Sequence, residues 1–455
     1  MGKEWHELTP EEKREVRFKK WLAPAGVAFN SPEAEKAYRE RVIRLYDALR
    51  LNEPDRVPVT LPIGNFPAYY SGKTLRDVMY DYEELRRVWT RFMYDFYEDM
   101  DTFYGPNLTY SGKVLEMLDY KLYNWPGRGL GPEVNTYQFV EGEYMMADEY
   151  DAMIKDPSDF ALRTVIPRTF GSMGSLKKSI PFSSLLGRPL NLTIPFAMRD
   201  IRQAFQTLVD AGQEYETWLK SVLAFNVEAV AAGFPSFRGG LAVAPFDTIG
   251  DSLRGTRGII MDMYRQPSKL LEALDVIIPL TIENTIAAVN TTGGFMVTFP
   301  LHKGDDTFMS NKQFEEFYWP SLREVILGLI EEGIMVMLFA EGRYQKRLEM
   351  IQDLPKGWVA WHFDQTDMKE AKKILGDRNC IMGNVPSSIM VSGTPLEVKE
   401  YCRDLIEKCG EGGGYILAGG CSATESNPDN FRAMMKAAKE YGVYRQRIRS
   451  TGRRA

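Results

Sequence analysis

A repeated succession of apolar strand, polar loop and helix between residues 294 and 441 constrains the fold of this chain more than any other feature. Helical patterns such as residues 311–332 and 395–408 separate the strands. Short apolar runs that alternate with helices predict βαβ units and a parallel sheet. The predicted strands are residues 295–299, 334–340, 358–363, 380–383 and 414–418.

Earlier strand candidates at residues 55–62, 98–104 and 240–244 extend this pattern towards seven or eight strand-helix units. We therefore predict an α/β fold, a (β/α)8 TIM barrel over residues 53–444. Residues 1–52 are predicted to form an N-terminal helical extension, and residues 445–455 a basic tail. A cap over the barrel, an arm to a second subunit in a homodimer and a plain surface extension all remain open for residues 1–52.

Composition narrows the possible partners. The net charge is -6, and outside the short tail there is no concentrated basic patch of the kind that binds nucleic acid. No apolar run approaches the ~20 residues that span a bilayer, and the first residues are too polar for a signal peptide. The four cysteines lack the spacing of a disulfide framework. We expect a cytoplasmic protein without a nucleic-acid or membrane partner.

Polar side chains follow the predicted strands, where a barrel places its active site. Glu341 follows seven apolar residues and precedes Gly342, and a carboxylate in that position indicates function. His302 is compatible with the site or with a structural bond to a loop carbonyl, and His362 lies inside an apolar strand as a barrel-wall residue would. The candidates that could converge at the strand ends are His302, Asp305, Asp306, Glu341, His362, Asp364, Asn384 and Cys421.

Several ordered motifs resemble the uroporphyrinogen decarboxylase superfamily. They are residues 364–376, Ile-Met-Gly-Asn-Val-Pro at 381–386, Gly-Thr-Pro at 393–395, residues 412–417 and residues 428–434. The resemblance covers about residues 55–443. It implies a (β/α)8 barrel, and its members include decarboxylases and cobalamin-dependent methyltransferases, some of which carry zinc.

The chain departs from the decarboxylase pattern at three places. The loop at residues 61–70 contains no Arg or Lys, where decarboxylases hold the substrate carboxylates with Arg. Asp251 stands where those enzymes have Tyr, and Cys421 where they have His. Asp101 alone matches the family's central Asp. The resemblance therefore favours the methyltransferase branch.

The resemblance also implies a zinc site, but with altered ligands. The His-x-Cys pair of the zinc-dependent methyltransferases aligns with Phe339 and Glu341, and Cys421 matches the last ligand. Glu341, Cys421 and His302 would supply the three protein ligands of a catalytic zinc. A metal-free acid-base site built from the same residues is the alternative.

The function that the resemblance implies is transfer of a methyl group between a small O- or N-methyl substrate and a corrinoid protein, with the cobalamin on that partner. An oxygen or nitrogen leaving group needs an acid or a Lewis acid. The predicted catalytic residues are Glu341, His302, Asp305 and Asp101, and the predicted substrate-binding residues are Tyr70, Tyr104, Asp251, His362 and Asn384. A carboxy-lyase acting on a tetrapyrrole or smaller acid and a non-catalytic binding barrel are the alternatives.

Overall fold

A parallel five-stranded sheet forms the centre of the computed structural model, which describes residues 3–237 and 239–444. Its strands lie side by side in chain order, each followed by a helical or turn segment that returns to the next. This is the arrangement that βαβ units produce. The strands are Met296–Leu301, Met335–Ala340, Val359–Phe363, Cys380–Val385 and Tyr415–Gly419.

Three shorter segments continue the sheet at both edges through single parallel bridges. Val59 pairs with Leu417, Thr60 with Thr102, and Leu241 with Thr298. The eight strand positions therefore follow the order of a (β/α)8 barrel, as predicted. Among the described residues no backbone bridge joins the second position to the third, where the Thr102 hydroxyl donates instead to the Pro235 carbonyl at 2.8 Å.

Helices surround the sheet and bury its outer face. The longest helix, Arg199–Ala231, leads back to the third strand position. The helices before the five-stranded sheet are Phe66–Tyr70, Leu75–Tyr80, Tyr82–Asp95, Gly112–Leu118, Tyr150–Lys155, Pro157–Phe160, Ile166–Thr169, Thr193–Phe196, Arg199–Ala231, Pro245–Ser252, Gly255–Arg265 and Pro267–Thr292. Those that follow its first strand are Asn311–Gln313, Trp319–Glu331, Met368–Leu375, Ser387–Ser392, Pro395–Cys409 and Pro428–Tyr441, with a π-helical turn at Phe314–Tyr318.

One helix predicted from the sequence is two helices in the structure. The pattern at residues 261–290 predicts a single helix, but Gly255–Arg265 ends before Gln266 and Pro267–Thr292 begins after it. Gln266 has φ of -146° and ψ of 52°. A proline disfavours helical backbone in the residue before it, so Pro267 starts a new helix rather than continuing the old one.

The N-terminal extension packs at the amino ends of the strands. Its helices are Pro10–Leu22 and Pro32–Leu49, capped by Thr9 and Ser31. Arg17 Nη1 donates to the Gly294 carbonyl at 3.1 Å, and Arg14 Nη1 donates to the Gly357 carbonyl at 2.9 Å. Each carbonyl lies two residues before the start of a strand, so these contacts lie at the end of the sheet opposite the predicted mouth. The predicted basic tail, residues 445–455, lies outside the described residues.

An insertion separates the second and third strand positions. It contains a three-stranded sheet of Tyr123–Pro126, Gly129–Leu130 and Gln138–Phe139, where the sequence predicts loops and a hairpin. A helix that precedes a barrel strand runs antiparallel to it, so the start of Arg199–Ala231 lies on the mouth side. The insertion therefore belongs to the carboxyl-end face. Within residues 3–237 and 239–444, no helix combines the length and apolarity needed to cross a lipid bilayer.

A buried charge cluster joins the extension to the first two strand positions. The Asp101 carboxylate accepts from Arg44 Nη1 at 2.6 Å, from Arg56 Nη2 at 2.8 Å and from the Val59 amide at 2.8 Å. Burial alone would raise the pKa of Asp101, but Arg56 and Arg44 outweigh it and lower that pKa. The carboxylate thus remains charged and fully bonded inside the protein.

We expect Asp101→Ala to lower the free energy of unfolding by ~3–5 kcal/mol, because it leaves two arginines without their buried partner. Urea denaturation followed by circular dichroism measures the change. The matched control is Glu40→Ala, which removes an exposed ion pair to Lys36 and should cost no more than ~1 kcal/mol. Equal effects of the two substitutions would contradict a structural role for Asp101.

Candidate functional site

Strand register brings several predicted residues to one end of the barrel. Pro300 pairs with Phe339, and Phe339 pairs with His362. His302, Glu341 and Asp364 each lie two residues further along these three strands, so their side chains project from the same face, one layer higher. The carboxyl ends of parallel strands meet at the mouth of a barrel.

His302 is held between two carboxylates. Its Nδ1 lies 2.6 Å from Asp251 Oδ2, and its Nε2 lies 3.7 Å from Glu341 Oε1. The second distance exceeds a hydrogen bond, so the Nε2 position is available to a ligand between the two side chains. The side chains of His302 and Glu341 are 40% and 44% exposed, so a small molecule can approach both.

The helix Pro245–Ser252, which follows the third strand position, supplies the second layer of this site. Asp247 accepts from the backbone amides of His302 and Lys303, both at 3.1 Å, and from the Tyr318 hydroxyl at 2.8 Å. Asp251 lies one helical turn later and therefore on the same helix face. Asp247 thus fixes the backbone at the strand end while Asp251 orients the imidazole.

Lys303 connects the barrel to the insertion. Its buried ammonium lies 3.1 Å from Asp251 Oδ1, 2.9 Å from Thr256 Oγ1 and 3.5 Å from Glu141 Oε1. Glu141 belongs to the insertion and also accepts from the Thr256 amide at 2.8 Å. These contacts hold the insertion beside the His302 cluster, which we define as Asp247, Asp251, His302, Lys303 and Glu341.

Electrostatics favour a protonated His302. Burial opposes the charged imidazole, but the hydrogen bond to Asp251 and the charges of Glu341 and Asp247 outweigh it and raise the pKa of His302 to about 9. Burial, with the charges of Asp364 and Asp251, raises the pKa of Glu341 against the effect of His302. At neutral pH the site therefore presents an imidazolium proton at Nε2 beside a carboxyl group.

Aromatic side chains lie near this cluster. Tyr110, Tyr123 and Tyr137 of the insertion have ring centroids 5.4–6.1 Å apart. Burial raises the pKa of Tyr123 to about 12, and Tyr110, Asp251 and Glu341 add to that rise. Tyr123 therefore lies within electrostatic reach of the two carboxylates. The charged site is bordered by phenol rings from outside the barrel sheet.

Of the predicted substrate-binding residues, Asp251, Tyr104 and His362 lie in or beneath the cluster. Tyr104 Oη is 3.7 Å from Met337 Sδ, so this side chain reaches into the barrel. His362 Nε2 lies 2.7 Å from the Gly419 carbonyl, and its ring centroid is 4.7 Å from that of Phe339. Burial lowers the pKa of His362, which leaves this imidazole neutral.

Four other predicted residues have partners within the protein itself. Tyr70 packs on Phe96 and donates to Asp95 between helices. Asn384 is buried and donates to the Asp364 and Thr366 carbonyls. Asp305 accepts from the Thr307 and Phe308 amides of its own turn. Asp101 belongs to the arginine cluster described above. These contacts explain the four side chains without a substrate, and their predicted functional roles stay predictions.

The predicted metal site stays a prediction. His302 and Glu341 are neighbours, but in the part of the chain that the structure describes, no group of three or more His, Cys, Asp or Glu side chains is arranged to hold a metal ion. Cys421 lies past the end of its strand and is partly exposed. Asp251 is bonded to Nδ1 of His302, which leaves Nε2 as the ring nitrogen that faces Glu341.

Sequence reasoning missed Asp247, Lys303, Thr256 and Glu141. The available signal was the spacing of Asp247 and Asp251, four residues apart in a helix that directly follows a strand. Nothing in the sequence indicates that Glu141 meets Lys303, because 162 positions separate the two residues.

Comparisons with known proteins place this geometry in context. Residues 236–441 match the family model described as "Uroporphyrinogen decarboxylase (URO-D)". The uroporphyrinogen decarboxylase of Hydrogenovibrio crunogenus is 26% identical over 184 residues, which cover 39% of this chain and 50% of that protein. That of Pseudoalteromonas translucida is 25% identical over 186 residues, covering 40% and 51%. The chain spans about half the length of these curated relatives.

A solved structure resembles a larger part of the chain. The methyltransferase from Methanosarcina mazei superposes with a TM-score of 0.56 and 16% sequence identity, covering 88% of this chain and 98% of that one. At this identity the likeness concerns the fold alone. It extends the similarity beyond the C-terminal half and supports the barrel architecture.

We expect nuclear magnetic resonance titration to give His302 a pKa of about 9. The chain has only three histidines, so the imidazole signals can be assigned by substitution. Asp251→Asn should lower this pKa, because it removes the charge that stabilises the imidazolium. The matched control, Asp305→Asn, changes a carboxylate of the same loop that bonds its own turn instead of His302, and should leave the value in place.

The raised pKa also has a consequence for stability. The protonated His302 stabilises the folded protein fully below the unfolded-state value of about 6.5, and this contribution is lost as pH rises through about 9. Between pH 6.5 and pH 9 the free energy of unfolding should therefore fall less in Asp251→Asn than in the wild-type protein. A pKa near 6.5 in the native protein would contradict the His302 cluster.

Proposed function

We propose that this chain, whose residues 236–441 match the uroporphyrinogen decarboxylase family model, is a methyltransferase that moves a methyl group between a small O- or N-methyl substrate and a corrinoid protein. The observation that supports this function best is the protonated His302, with Nε2 open towards the ligand space and Nδ1 bonded to Asp251. An oxygen or nitrogen atom leaves a methyl group readily only when it receives a proton.

Four members of the His302 cluster have a part in this reaction. His302 donates its Nε2 proton to the leaving atom, and Asp251 stabilises the imidazolium and fixes its orientation. Asp247 holds the strand end that carries His302, and Glu341 keeps the imidazole charged. The corrinoid co-substrate supplies the cobalt atom that accepts or returns the methyl group. No step is assigned to zinc, because the described residues do not form its ligand set.

The surface of the insertion supports a protein partner. Leu186 and Leu190 are 92% and 82% exposed in the segment that precedes the helix Arg199–Ala231. The start of that helix lies on the mouth side of the barrel, so this segment is on the face through which a corrinoid must enter. Exposed apolar patches commonly mark protein-interaction surfaces. We assign contact with the corrinoid protein to this segment.

A carboxy-lyase is the second candidate, since the curated relatives are decarboxylases. The charges at the site do not support it. Lys303, the buried cation of the cluster, is already paired with Asp251 and Glu141, and His302 is paired with Asp251 and Glu341. A substrate with many carboxylates would meet additional negative charge at this mouth. Residues 61–70 also supply no basic side chain.

We expect the protein to form methylcobalamin from cob(I)alamin and a methylated substrate. The change in the visible spectrum of the corrinoid measures the rate of this reaction. His302→Gln should lower the rate by ~10²–10⁴-fold because it removes the acid. Glu341→Gln should abolish detectable turnover while preserving the circular dichroism spectrum. Glu40→Gln, which changes an exposed carboxylate of the N-terminal extension, is the control and should retain the wild-type rate. Release of CO2 from uroporphyrinogen without any methyl transfer would refute this function in favour of the lyase.

A further inference from the structure

The longest helix, Arg199–Ala231, presents a row of exposed side chains on the face that points away from the barrel. Its opposite face is buried, and there Trp218 Nε1 donates to the Thr109 carbonyl at 2.9 Å. The exposed row has an alternating spacing of four and three residues, which is the spacing of a coiled-coil seam. Its members, which we call the outer seam, are Val209, Gln213, Glu216, Lys220, Leu223 and Val227.

The outer seam is apolar towards its ends and charged at its centre. Val209, Leu223 and Val227 are 53%, 51% and 68% exposed. The side chains of Glu216 and Lys220 are 63% and 73% exposed. Three apolar side chains aligned with a coiled-coil spacing gain stability when a second helix covers them. The seam therefore has the form of one half of a helix pair.

The outer seam is self-complementary about Trp218. Val209 and Val227 each lie nine residues from this position, and Glu216 and Lys220 each lie two residues from it. An antiparallel helix of the same sequence therefore places valine against valine and glutamate against lysine. In a parallel pair, each charged side chain would face its own copy, which Coulomb repulsion disfavours. A surface that complements itself across a two-fold axis closes a dimer.

We propose that the outer seam is the contact surface for a second copy of this chain, packed antiparallel across a two-fold axis at the level of Trp218. Glu216 and Lys220 form an ion pair within one chain at 2.7 Å, and in the dimer positive and negative charges alternate around the axis. Gly212 and Ala224 flank the seam and face each other between copies. Small side chains there let the helices approach closely.

The antiparallel arrangement directs the two barrel mouths away from each other. The start of Arg199–Ala231 lies on the mouth side, so opposed helices place the two mouths towards opposite ends of the dimer. The outer seam is also separate from the His302 cluster. This proposal therefore stands or falls independently of the proposed methyl transfer.

Sedimentation equilibrium tests for the dimer, since one chain has a mass of 52.0 kDa and a dimer has twice that mass. We expect the wild-type protein to form a dimer in a concentration-dependent manner. Val227→Glu places a charge against Val209 of the partner subunit and should raise the dimer Kd at least ~10-fold. The matched control is Leu396→Glu on the helix Pro395–Cys409, where Leu396 is 64% exposed, and it should leave the Kd unchanged.

Two single charge reversals test the central contacts by complementation. Glu216→Lys makes both central positions positive and Lys220→Glu makes both negative, so each variant alone should dimerise at least ~10-fold more weakly. An equal mixture of the two should form a heterodimer, because every pair across the axis again joins opposite charges. Glu40→Lys reverses one charge of an exposed ion pair on another helix and should dimerise as the wild type does.

Disulfide cross-linking tests the antiparallel register. Val209 and Val227 lie about 27 Å apart along the helix, too far for a disulfide within one chain. The double variant Val209→Cys with Val227→Cys should form covalent dimers when O2 and copper phenanthroline accept the two electrons and two protons released by each new bond. Neither single variant should, because its cysteine faces a valine. The wild-type protein controls for cross-links through its own partly exposed Cys421.

Circular dichroism checks that every variant folds, and each substituted side chain is exposed. A wild-type protein that stays monomeric at ~100 μM would overturn the proposal. So would a dimer that Val227→Glu and both charge reversals leave intact, since it would use another surface. Equal cross-linking of the single and double cysteine variants would contradict the antiparallel register.

Discussion

The common register of the parallel strands is the constraint on which the site depends. Pro300, Phe339 and His362 are aligned across three neighbouring strands. A shift of one residue in any strand would turn its side chains to the opposite face. His302 and Glu341 therefore meet only because their strands end at the same level of the sheet. The apolar residues between the strand and helix layers hold that register. Core packing and site geometry are consequences of the same alignment.

Charge pairing then determines the protonation state of the site. His302 alone would titrate near neutrality, but Asp251, Glu341 and Asp247 surround it and keep the imidazole charged. The carboxylates are in turn held by Lys303, by backbone amides and by Tyr318. This network explains how a protein with no basic side chain at residues 61–70 can still present one positively charged proton donor.

The insertion and the N-terminal extension occupy opposite ends of the barrel. Glu141 holds the insertion at the carboxyl ends of the strands through Lys303. Arg14 and Arg17 anchor the extension to carbonyls that precede the strands. Additions at the mouth can change substrate and partner without altering the sheet, because loops there are not part of its hydrogen-bonded ladder. Additions at the other end mainly contribute stability.

The sequence by itself determined the alternation of strands and helices, the barrel class and the strand-end position of His302 and Glu341. These features depend on the local periodicity of apolar residues, and a strand end is recognised from the few residues on either side of it. The sequence also shows that residues 61–70 contain no Arg or Lys, because this follows directly from the residue types in that segment.

Only the tertiary structure decided the partners of those residues. The contacts of His302 with Asp251 and of Lys303 with Glu141 join positions 51 and 162 residues apart, and no local pattern encodes such pairs. The same applies to Asp101, whose strand-end position is compatible with catalysis until Arg44 and Arg56 are seen to bond it. Cys421 likewise matches a ligand by alignment, yet ligand geometry depends on how several strand ends meet in space. That meeting is set by packing of the whole barrel.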